Sequence, residues 1–222
     1  MPFLVAIAHF CEIHGPVTIM ASIVVSVDKA SSCYAPPVSY SQLCDSCALK
    51  IPSNLTTLET VSENSHFIST QYPVLQDMYT SLRQTIMRLF TVETNADASK
   101  PLLFGDTRNG YTLASTFKLS DKTARGSERR YAILVSTDKE MDLIKNFTFI
   151  STNLQSIVSV ITTRGRHIYD QSTVNESNNN DFYLRRSAGL PKAKNMIEIL
   201  EDENFFLKLH EWSCFVLKHV EI

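Results

Sequence analysis

Apolar, β-branched runs most constrain how this 222-residue chain can fold, and they fall into two groups. In the first group, the runs at 3–11 and 17–27 flank a His-Gly-Pro turn signal, which predicts a β-hairpin. In the second group, three shorter runs separated by turn signals lie between 101 and 137, which predicts a meander of three strands. Because all five strands need a buried face, we expect one five-stranded, mostly antiparallel sheet.

Helical spacing of apolar residues separates the two strand groups and follows the second. The stretches at 74–90 and 141–163 show this period, and a last helix is predicted from about 193 to 220. The order β-β-α-β-β-β-α-α is that of a longin domain, an α/β fold in which helices pack on the sheet. The helical crossover between the second and third strands also permits a parallel pair at the sheet centre.

Two polar stretches interrupt this pattern. Residues 28–73 are rich in Ser, Thr, Pro and Asn and show weak periodicity, which predicts a long surface loop inserted in the domain. Residues 168–192 contain the run NESNNND and predict a second loop. We therefore expect a single longin domain over residues 1–222 with two long loops.

Composition excludes several classes of function. Charged residues make up 20% of the chain and the net charge is −2, which argues against general nucleic-acid binding. The apolar N-terminus has no basic region or small-residue cleavage site, and no stretch reaches the ~18 apolar residues that span a bilayer. We expect a cytoplasmic protein without direct membrane insertion and without a nucleic-acid partner.

Motifs for cofactor binding and hydrolysis are absent. The sequence contains neither GxxxxGK[ST] nor GxGxxG, and neither GxSxG nor HExxH. We therefore expect no cofactor, and no turnover of a small substrate by this chain alone.

Cysteine and histidine residues raise the question of a metal. Cys44 and Cys47 form one CxxC, but tetrahedral zinc needs four ligands, and Cys33 and His66 are the only nearby additions. This spacing favours a solvent loop with two free thiols, and a metal- or redox-responsive regulator is a weaker hypothesis. His9 and Cys11 share one face of the first strand, where a hydrogen-bonded strand histidine is favoured over a metal ligand. We expect no metal.

The segment DKTARGSERRYAILV, residues 121–135, places positive charge directly before a buried strand. Arg125 precedes Gly126 in the loop between the predicted fourth and fifth strands. An arginine offers five fixed donors that suit a carboxylate or phosphate partner, and the alternative is a solvated loop arginine. Alternation along the strand should point one of Arg129 and Arg130 towards the helices with a paired head group, and the other to solvent.

Four segments resemble the folliculin family: HFCEIHGP at 9–16, the CxxC at 44–47, LLFGD at 102–106 and TARGSERRY at 123–131. The resemblance covers most of the first 160 residues, and the chain resembles the short fungal members, which consist essentially of the longin domain. Two departures are Arg130, where the vertebrate protein has tryptophan, and a missing acidic insertion.

This resemblance implies a function. The chain would be a subunit of a GTPase-activating complex, paired with a folliculin-interacting-protein-like longin-DENN protein. The complex would act at the vacuole (lysosome) surface on a C/D-type Rag GTPase, in amino-acid signalling to the TOR kinase complex. The arginine finger of the family carries onto Arg125. The alternative is a non-catalytic longin scaffold that recruits the same partners, and an open sheet edge also permits a homodimer of the isolated chain.

Overall fold

The structure is a computed structural model that describes residues 3–25, 43–52, 55, 57–62, 65–73, 76–93, 100–177 and 193–221. The strands are β1 (Leu4–Cys11), β2 (Gly15–Val25), β3 (Leu58–Ser62), β4 (Ser65–Thr70), β5 (Leu102–Asp106), β6 (Gly110–Ser120) and β7 (Glu128–Thr137). The helices are α1 (Gln76–Thr91), α2 (Glu140–Lys145), α3 (Phe147–Ser177), α4 (Met196–Leu200) and α5 (Phe205–His219).

The described strands form one sheet in the order β3-β4-β2-β1-β7-β6-β5. Each neighbouring pair is antiparallel, which confirms the predicted β1–β2 hairpin and the β5–β6–β7 meander. The two groups join through β1 and β7, where Leu4 lies opposite Ser136 and His9 opposite Tyr131. No parallel pair forms in the described sheet. Helix α1 connects β4, which lies next to one edge of the sheet, to β5, which forms the opposite edge, so the two strands that it joins are not neighbours.

Helices cover both faces of the sheet, and the side-chain sizes of the two faces differ. Apolar residues of α1, including Met78, Leu82 and Ile86, pack on one face, which consists largely of alanines in β1, β2, β6 and β7. Helices α2 to α5 pack on the other face, which carries larger side chains such as Ile7 and Ile133. The predicted α/β fold is confirmed and is consistent with a longin-like arrangement.

The strand count was predicted wrongly, because β3 and β4 form a hairpin inside the expected 28–73 loop. In β4 the positions of His66 and Ser69 are buried although both residues are polar. The Ser69 hydroxyl lies 2.5 Å from the Ser22 hydroxyl, so a hydrogen bond replaces the apolar contact that a strand pattern normally shows. In β3 the residues from Glu59 to Val61 are exposed, and an edge strand of this kind carries little hydrophobic signal.

The helix boundaries also differ from the prediction. The predicted 141–163 helix consists of α2 and α3, and α3 continues to Ser177 into the expected 168–192 loop. Residues 170–173 of α3 are exposed, so their polar composition resembles that of a loop. The predicted last helix is two helices, because Glu201 ends α4 with a left-handed φ of 46°. Residues 178–192 lie outside the described residues. None of the described helices has the length and apolar character needed to cross a membrane.

Candidate functional site

Residues 121–127, named here the arginine loop, connect β6 to β7 and are closed by their own backbone. The N–H of Ala124 donates to the Asp121 carbonyl and the N–H of Ser127 donates to the Ala124 carbonyl, both at 3.0 Å. The Asp121 N–H donates in turn to the Ser127 carbonyl at 3.0 Å. Gly126 and Ser127 both adopt left-handed backbone angles, with φ of 74° and 59°. These hydrogen bonds therefore fix the conformation of the loop between the end of β6 and the start of β7.

Arg125 lies at the tip of the arginine loop and is exposed. Its backbone N–H donates to Glu12 Oε1 at 2.6 Å, which ties the tip to the β1–β2 turn. Within the described part of the chain the guanidinium makes no hydrogen bond or ion pair. The structure thus places Arg125 in the predicted loop, with a positioned backbone and a side chain open to solvent. Its catalytic role stays a prediction.

A buried ion pair holds the base of the loop. Arg129 Nε donates to Asp121 Oδ2 at 2.6 Å, and both side chains are almost completely buried. The backbone N–H and hydroxyl of Thr123 also donate to Asp121 Oδ1, at 2.9 and 2.8 Å. Burial alone would raise the pKa of Asp121, but the hydrogen bonds from Thr123 and Arg129 outweigh it and lower that pKa. Asp121 therefore stays ionised and anchors both ends of the loop.

The predicted alternation of the two neighbouring arginines is confirmed. Arg129 points towards the helices of the α3–α5 layer with a paired head group, whereas Arg130 is exposed on the other face. The Arg130 guanidinium carbon lies 5.0 Å from the centroid of the Phe10 ring, which is a cation–π contact.

A second constellation, named here the cysteine–histidine cluster, consists of Cys11, His14, Cys44 and Cys47. Its four potential ligand atoms lie within 4.8 Å of one another. The Cys11 and Cys44 sulfurs are 3.6 Å apart, and those of Cys44 and Cys47 are 3.5 Å apart. His14 Nδ1 lies 3.4 Å from Cys47 Sγ and 3.7 Å from Cys11 Sγ. This arrangement of three sulfurs and one imidazole nitrogen can chelate a soft divalent cation.

The structure corrects the prediction that Cys44 and Cys47 lie in a solvent loop. Cys47 is fully buried and Cys44 is partly buried, because the segment packs against the end of β1. Of the two additions considered from the sequence, Cys33 lies outside the described residues. His66 lies elsewhere and contacts Glu59 Oε2 at 3.0 Å.

His9 is a buried strand histidine beside a thiol, as predicted, but the thiol is that of Cys47 rather than Cys11. His9 Nε2 lies 3.2 Å from Cys47 Sγ, and the His9 ring stacks on the ring of Tyr131 at 5.7 Å. Burial lowers the pKa of His9 to about 4, so its imidazole is neutral near pH 7. His9 therefore borders the cysteine–histidine cluster without belonging to it.

Hydrogen bonds fix the turn that carries Cys44 and Cys47. The Cys47 N–H donates to the Cys44 carbonyl at 3.0 Å. The buried amide of Gln71 donates to the Cys47 carbonyl at 2.6 Å, and the buried amide of Asn195 donates to the Ala48 carbonyl at 2.7 Å. The turn is thus held from β4 and from the start of α4, independently of the thiols.

The thiols influence one another strongly. A hydrogen bond from Cys47 lowers the pKa of Cys11 to about 4, although burial opposes this shift. The same hydrogen bond, together with burial, raises the pKa of Cys47. The hydrogen bonding within the cluster therefore favours the thiolate form at Cys11 over the thiolate form at Cys47.

The sequence contained a signal for this cluster that our interpretation missed. Cys11 and His14 are separated by two residues, and so are Cys44 and Cys47. Two such pairs on separate turns are typical of a structural zinc site. The strand alternation groups Cys11 with His9 rather than with His14, and the separation of more than 30 residues between the pairs gives no indication of contact.

The arginine loop and the cysteine–histidine cluster touch through the residues between the ligands. Glu12, between Cys11 and His14, accepts the hydrogen bond from the Arg125 N–H. Ser46, between Cys44 and Cys47, lies 3.3 Å from Arg129 Nη1, which donates to its hydroxyl. The two constellations therefore form one site at the end of the sheet where β1 ends and β7 begins.

Fold and site define a class of protein: an α/β sheet protein that presents a positioned arginine on its surface beside a thiol-rich cluster. Comparison with known proteins gives the family. The model of the family named Folliculin, described as "Vesicle coat protein involved in Golgi to plasma membrane transport", matches residues 65–220. The chain belongs to the folliculin family.

Individual relatives cover different shares of their own length. The chain is 29% identical to Protein LST7 of Saccharomyces cerevisiae, over 98% of this chain and 96% of that protein. It is 32% identical to Folliculin-like protein bhd1 of Schizosaccharomyces pombe, over 56% of this chain and 38% of that protein. It is 21% identical to Folliculin of Homo sapiens over 98% of this chain, which spans 45% of the human protein.

Proposed function

We propose that this chain is a subunit of a GTPase-activating complex and that Arg125 is an arginine finger supplied in trans. The complex stimulates GTP hydrolysis by a C/D-type Rag GTPase, in amino-acid signalling to the TOR kinase complex. Membership of the folliculin family supports this role at the family level. The single observation that carries the finger assignment is the exposed Arg125 side chain on a backbone fixed at both ends.

The chemistry of phosphoryl transfer explains the value of such an arginine. Negative charge is spread over the γ-phosphate oxygens in the transition state, and a guanidinium placed there stabilises it. The GTPase supplies its own phosphate loop and Mg²⁺, so this chain needs no nucleotide motif. A fixed backbone reduces the entropy lost when the side chain enters the nucleotide site.

The surroundings of Arg125 suit close approach by a partner. A Cβ added at Gly126 would meet no atom of the described residues within 4 Å, so the side of the loop next to Arg125 is open. Ile13, in the neighbouring β1–β2 turn, is 69% exposed and offers an apolar contact close to the arginine.

The proposed complex also needs a longin-DENN partner of the folliculin-interacting-protein type, which recruits the chain to the vacuole surface. The sheet edges β3 and β5 have no further strand beside them among the described residues. Val61 on β3 and Leu103 on β5 are exposed apolar residues on these edges. An open edge with apolar side chains can pair with a strand of the partner, or with a second copy in the isolated chain.

The test is single-turnover GTP hydrolysis by the Rag heterodimer, with this chain and its partner present. Replacement of Arg125 by Ala should reduce the stimulated rate by about 10³-fold or more, without loss of complex formation. Arg108→Ala is the matched control, because Arg108 is an exposed arginine in the β5–β6 turn at the other end of β6. Unchanged hydrolysis by the Arg125 variant would reject the finger assignment.

The second candidate is a non-catalytic scaffold, which the two open sheet edges favour. In that case Arg125 is an interface charge, so Arg125→Ala would weaken binding of the GTPase while leaving turnover of the bound complex intact. Measuring affinity and turnover on the same samples distinguishes the two functions.

A further inference from the structure

We propose that Cys11, His14, Cys44 and Cys47 bind one structural Zn²⁺, which joins the β1–β2 turn to the 43–52 segment beneath the arginine loop. The metal site rests on its own geometry. Only its consequence for GTP hydrolysis rests on the proposed function.

The distances within the cluster fit tetrahedral zinc. With Zn–S near 2.3 Å and Zn–N near 2.0 Å, ligand atoms of a tetrahedral site are about 3.8 Å (S to S) and about 3.5 Å (S to N) apart. Two of the three sulfur–sulfur distances in the cluster are 3.6 and 3.5 Å, and two of the three nitrogen–sulfur distances are 3.7 and 3.4 Å. The remaining pair of each kind lies within 4.8 Å. One cation at the centre can therefore contact all four atoms after small movements.

The identity of the donors selects the metal. Thiolates are soft ligands that favour zinc over Mg²⁺ or Ca²⁺, and three cysteines with one histidine are an established structural zinc set. Four protein ligands complete the tetrahedron and leave no open position for a substrate. The proposed zinc is therefore structural and takes no direct part in a reaction.

Groups next to the four ligands lie where they can hydrogen-bond to the ligand sulfurs. The Ile13 N–H donates to Cys11 Sγ at 3.4 Å, and the His9 Nε2 lies next to Cys47 Sγ. N–H groups that donate to metal-bound sulfur orient the ligand and tune its charge. Gln71 and Asn195 hold the Cys44–Cys47 turn through its carbonyls, so the ligands are presented by a fixed backbone.

The proposed zinc would act on the arginine loop through one residue of each ligand pair. Glu12 holds the Arg125 N–H, and Ser46 holds the Arg129 head group. If the two turns separate, both contacts lose their geometry together. Zinc binding would thus brace the backbone that presents Arg125.

Metal content of the purified full chain, measured by mass spectrometry, is the first test. We expect about one zinc per chain, and replacement by Co²⁺ should give the visible absorption of a tetrahedral thiolate site. Cys44→Ser and His14→Ala should lose the metal. Cys214→Ser and His167→Ala are matched controls that should retain it, because these residues lie on α5 and α3 and do not belong to the cluster.

A conservative variant tests whether metal is lost because a ligand is removed or because the chain misfolds. His14→Cys replaces one good zinc ligand with another and should retain about one zinc per chain. Folded wild-type protein that binds no zinc after reduction and reconstitution would overturn the proposal. So would a Cys44–Cys47 disulfide as the stable form under reducing conditions, or metal binding that survives His14→Ala but is lost in His9→Ala.

The effect of bound zinc on the arginine loop can be measured independently of GTP hydrolysis. Removing zinc with a chelator should accelerate amide hydrogen exchange in residues 121–127, while the centre of α3 is unchanged. Zinc bound without any effect on this exchange would overturn the bracing role. If zinc is bound and braces the loop but the Arg125→Ala variant still stimulates GTP hydrolysis by the GTPase normally, the proposed function fails and the metal site stands.

Discussion

The Glu12 carboxylate accepts a hydrogen bond of 2.6 Å from the Arg125 backbone N–H, although the two residues are 113 positions apart. This contact joins the turn after β1 to the loop before β7. The antiparallel register of these two strands, with His9 opposite Tyr131, brings the two turns to the same end of the sheet. The orientation of Arg125 therefore depends on a residue of the first hairpin.

Glu12→Ala should loosen the tip of the arginine loop. A hydrogen bond of this kind contributes about 0.5–1.5 kcal/mol, so we expect roughly two- to tenfold faster amide exchange at Arg125. Glu12→Gln retains an acceptor oxygen and should resemble the wild type more closely. Hydrogen exchange followed by NMR or mass spectrometry measures both variants. Identical exchange at Arg125 in the wild type and Glu12→Ala would show that this contact does not hold the loop.

Arg125→Lys separates charge from geometry, under the proposed function. Lysine keeps the positive charge but loses the planar fork that contacts two phosphate oxygens at once. We expect stimulated GTP hydrolysis to fall by about 10³-fold or more, with the affinity for the GTPase nearly unchanged. The measurement is single-turnover hydrolysis with Arg108→Lys as control. Stimulation at the wild-type rate by Arg125→Lys would mean that a general positive charge is sufficient.

Asp121→Ala should destabilise the whole fold. It leaves the Arg129 guanidinium buried without its carboxylate, and breaking a buried pair in this way costs about 3–5 kcal/mol. Glu128→Ala is the control, because the Lys118–Glu128 pair at 2.7 Å is exposed and contributes about 0–1 kcal/mol. Urea unfolding measures both free energies. Equal losses in the two variants would show that burial of the Asp121–Arg129 pair has no special effect.

The Asp121–Arg129 ion pair also makes the free energy of unfolding depend on pH in the acid range. Because the pKa of Asp121 is lower in the folded chain, its contribution is fully present above the unfolded pKa of about 3.9. The contribution is lost as the pH falls through the lower, folded value. Asp121→Asn should therefore flatten the decline of unfolding free energy on the acid side of about pH 4, in urea titrations at a series of pH values.

Most of the fold followed from apolar periodicity, and the exceptions have a common cause. Apolar faces are buried in β1, β2, β6, β7 and α1, so the periodicity of these elements can be recognised in the sequence. Strand β4 buries Phe67 and Ile68, but it also buries the polar Ser69, which is bonded to Ser22 and to His210 at 2.5 and 2.6 Å. Polar residues satisfied by distant partners cannot be distinguished from loop residues in a single sequence.

The candidate site was only partly predictable for a similar reason. The loop position of Arg125 and the alternation of Arg129 and Arg130 are local properties of one segment, and the sequence indicated both correctly. The cysteine–histidine cluster depends on contact between residues 11–14 and 44–47, which the register of a sheet and two buried amides create. Spacing within each pair was visible, but their proximity was not.

Because of His210, we expect a second pH dependence of the free energy of unfolding, closer to neutral pH. Its Nδ1 lies 2.6 Å from the Ser69 hydroxyl and its Nε2 lies 2.9 Å from the Thr60 hydroxyl, where α5 packs on β3 and β4. Burial lowers the pKa of His210, although the nearby Glu211 partly opposes this shift. The unfolded chain therefore takes up the proton first, and unfolding free energy should decrease as the pH falls below about 6.5.

His210→Gln isolates this effect. Glutamine stays neutral and can both donate and accept, so the variant should lose stability at pH 7.5 only modestly and show a flatter decline as the pH falls below about 6.5. Buried His9 titrates in the wild type and the variant alike, so the difference between the two slopes reports His210. An unchanged slope in His210→Gln, in urea unfolding at matched ionic strength, would mean that His210 is protonated equally in the folded and unfolded chains.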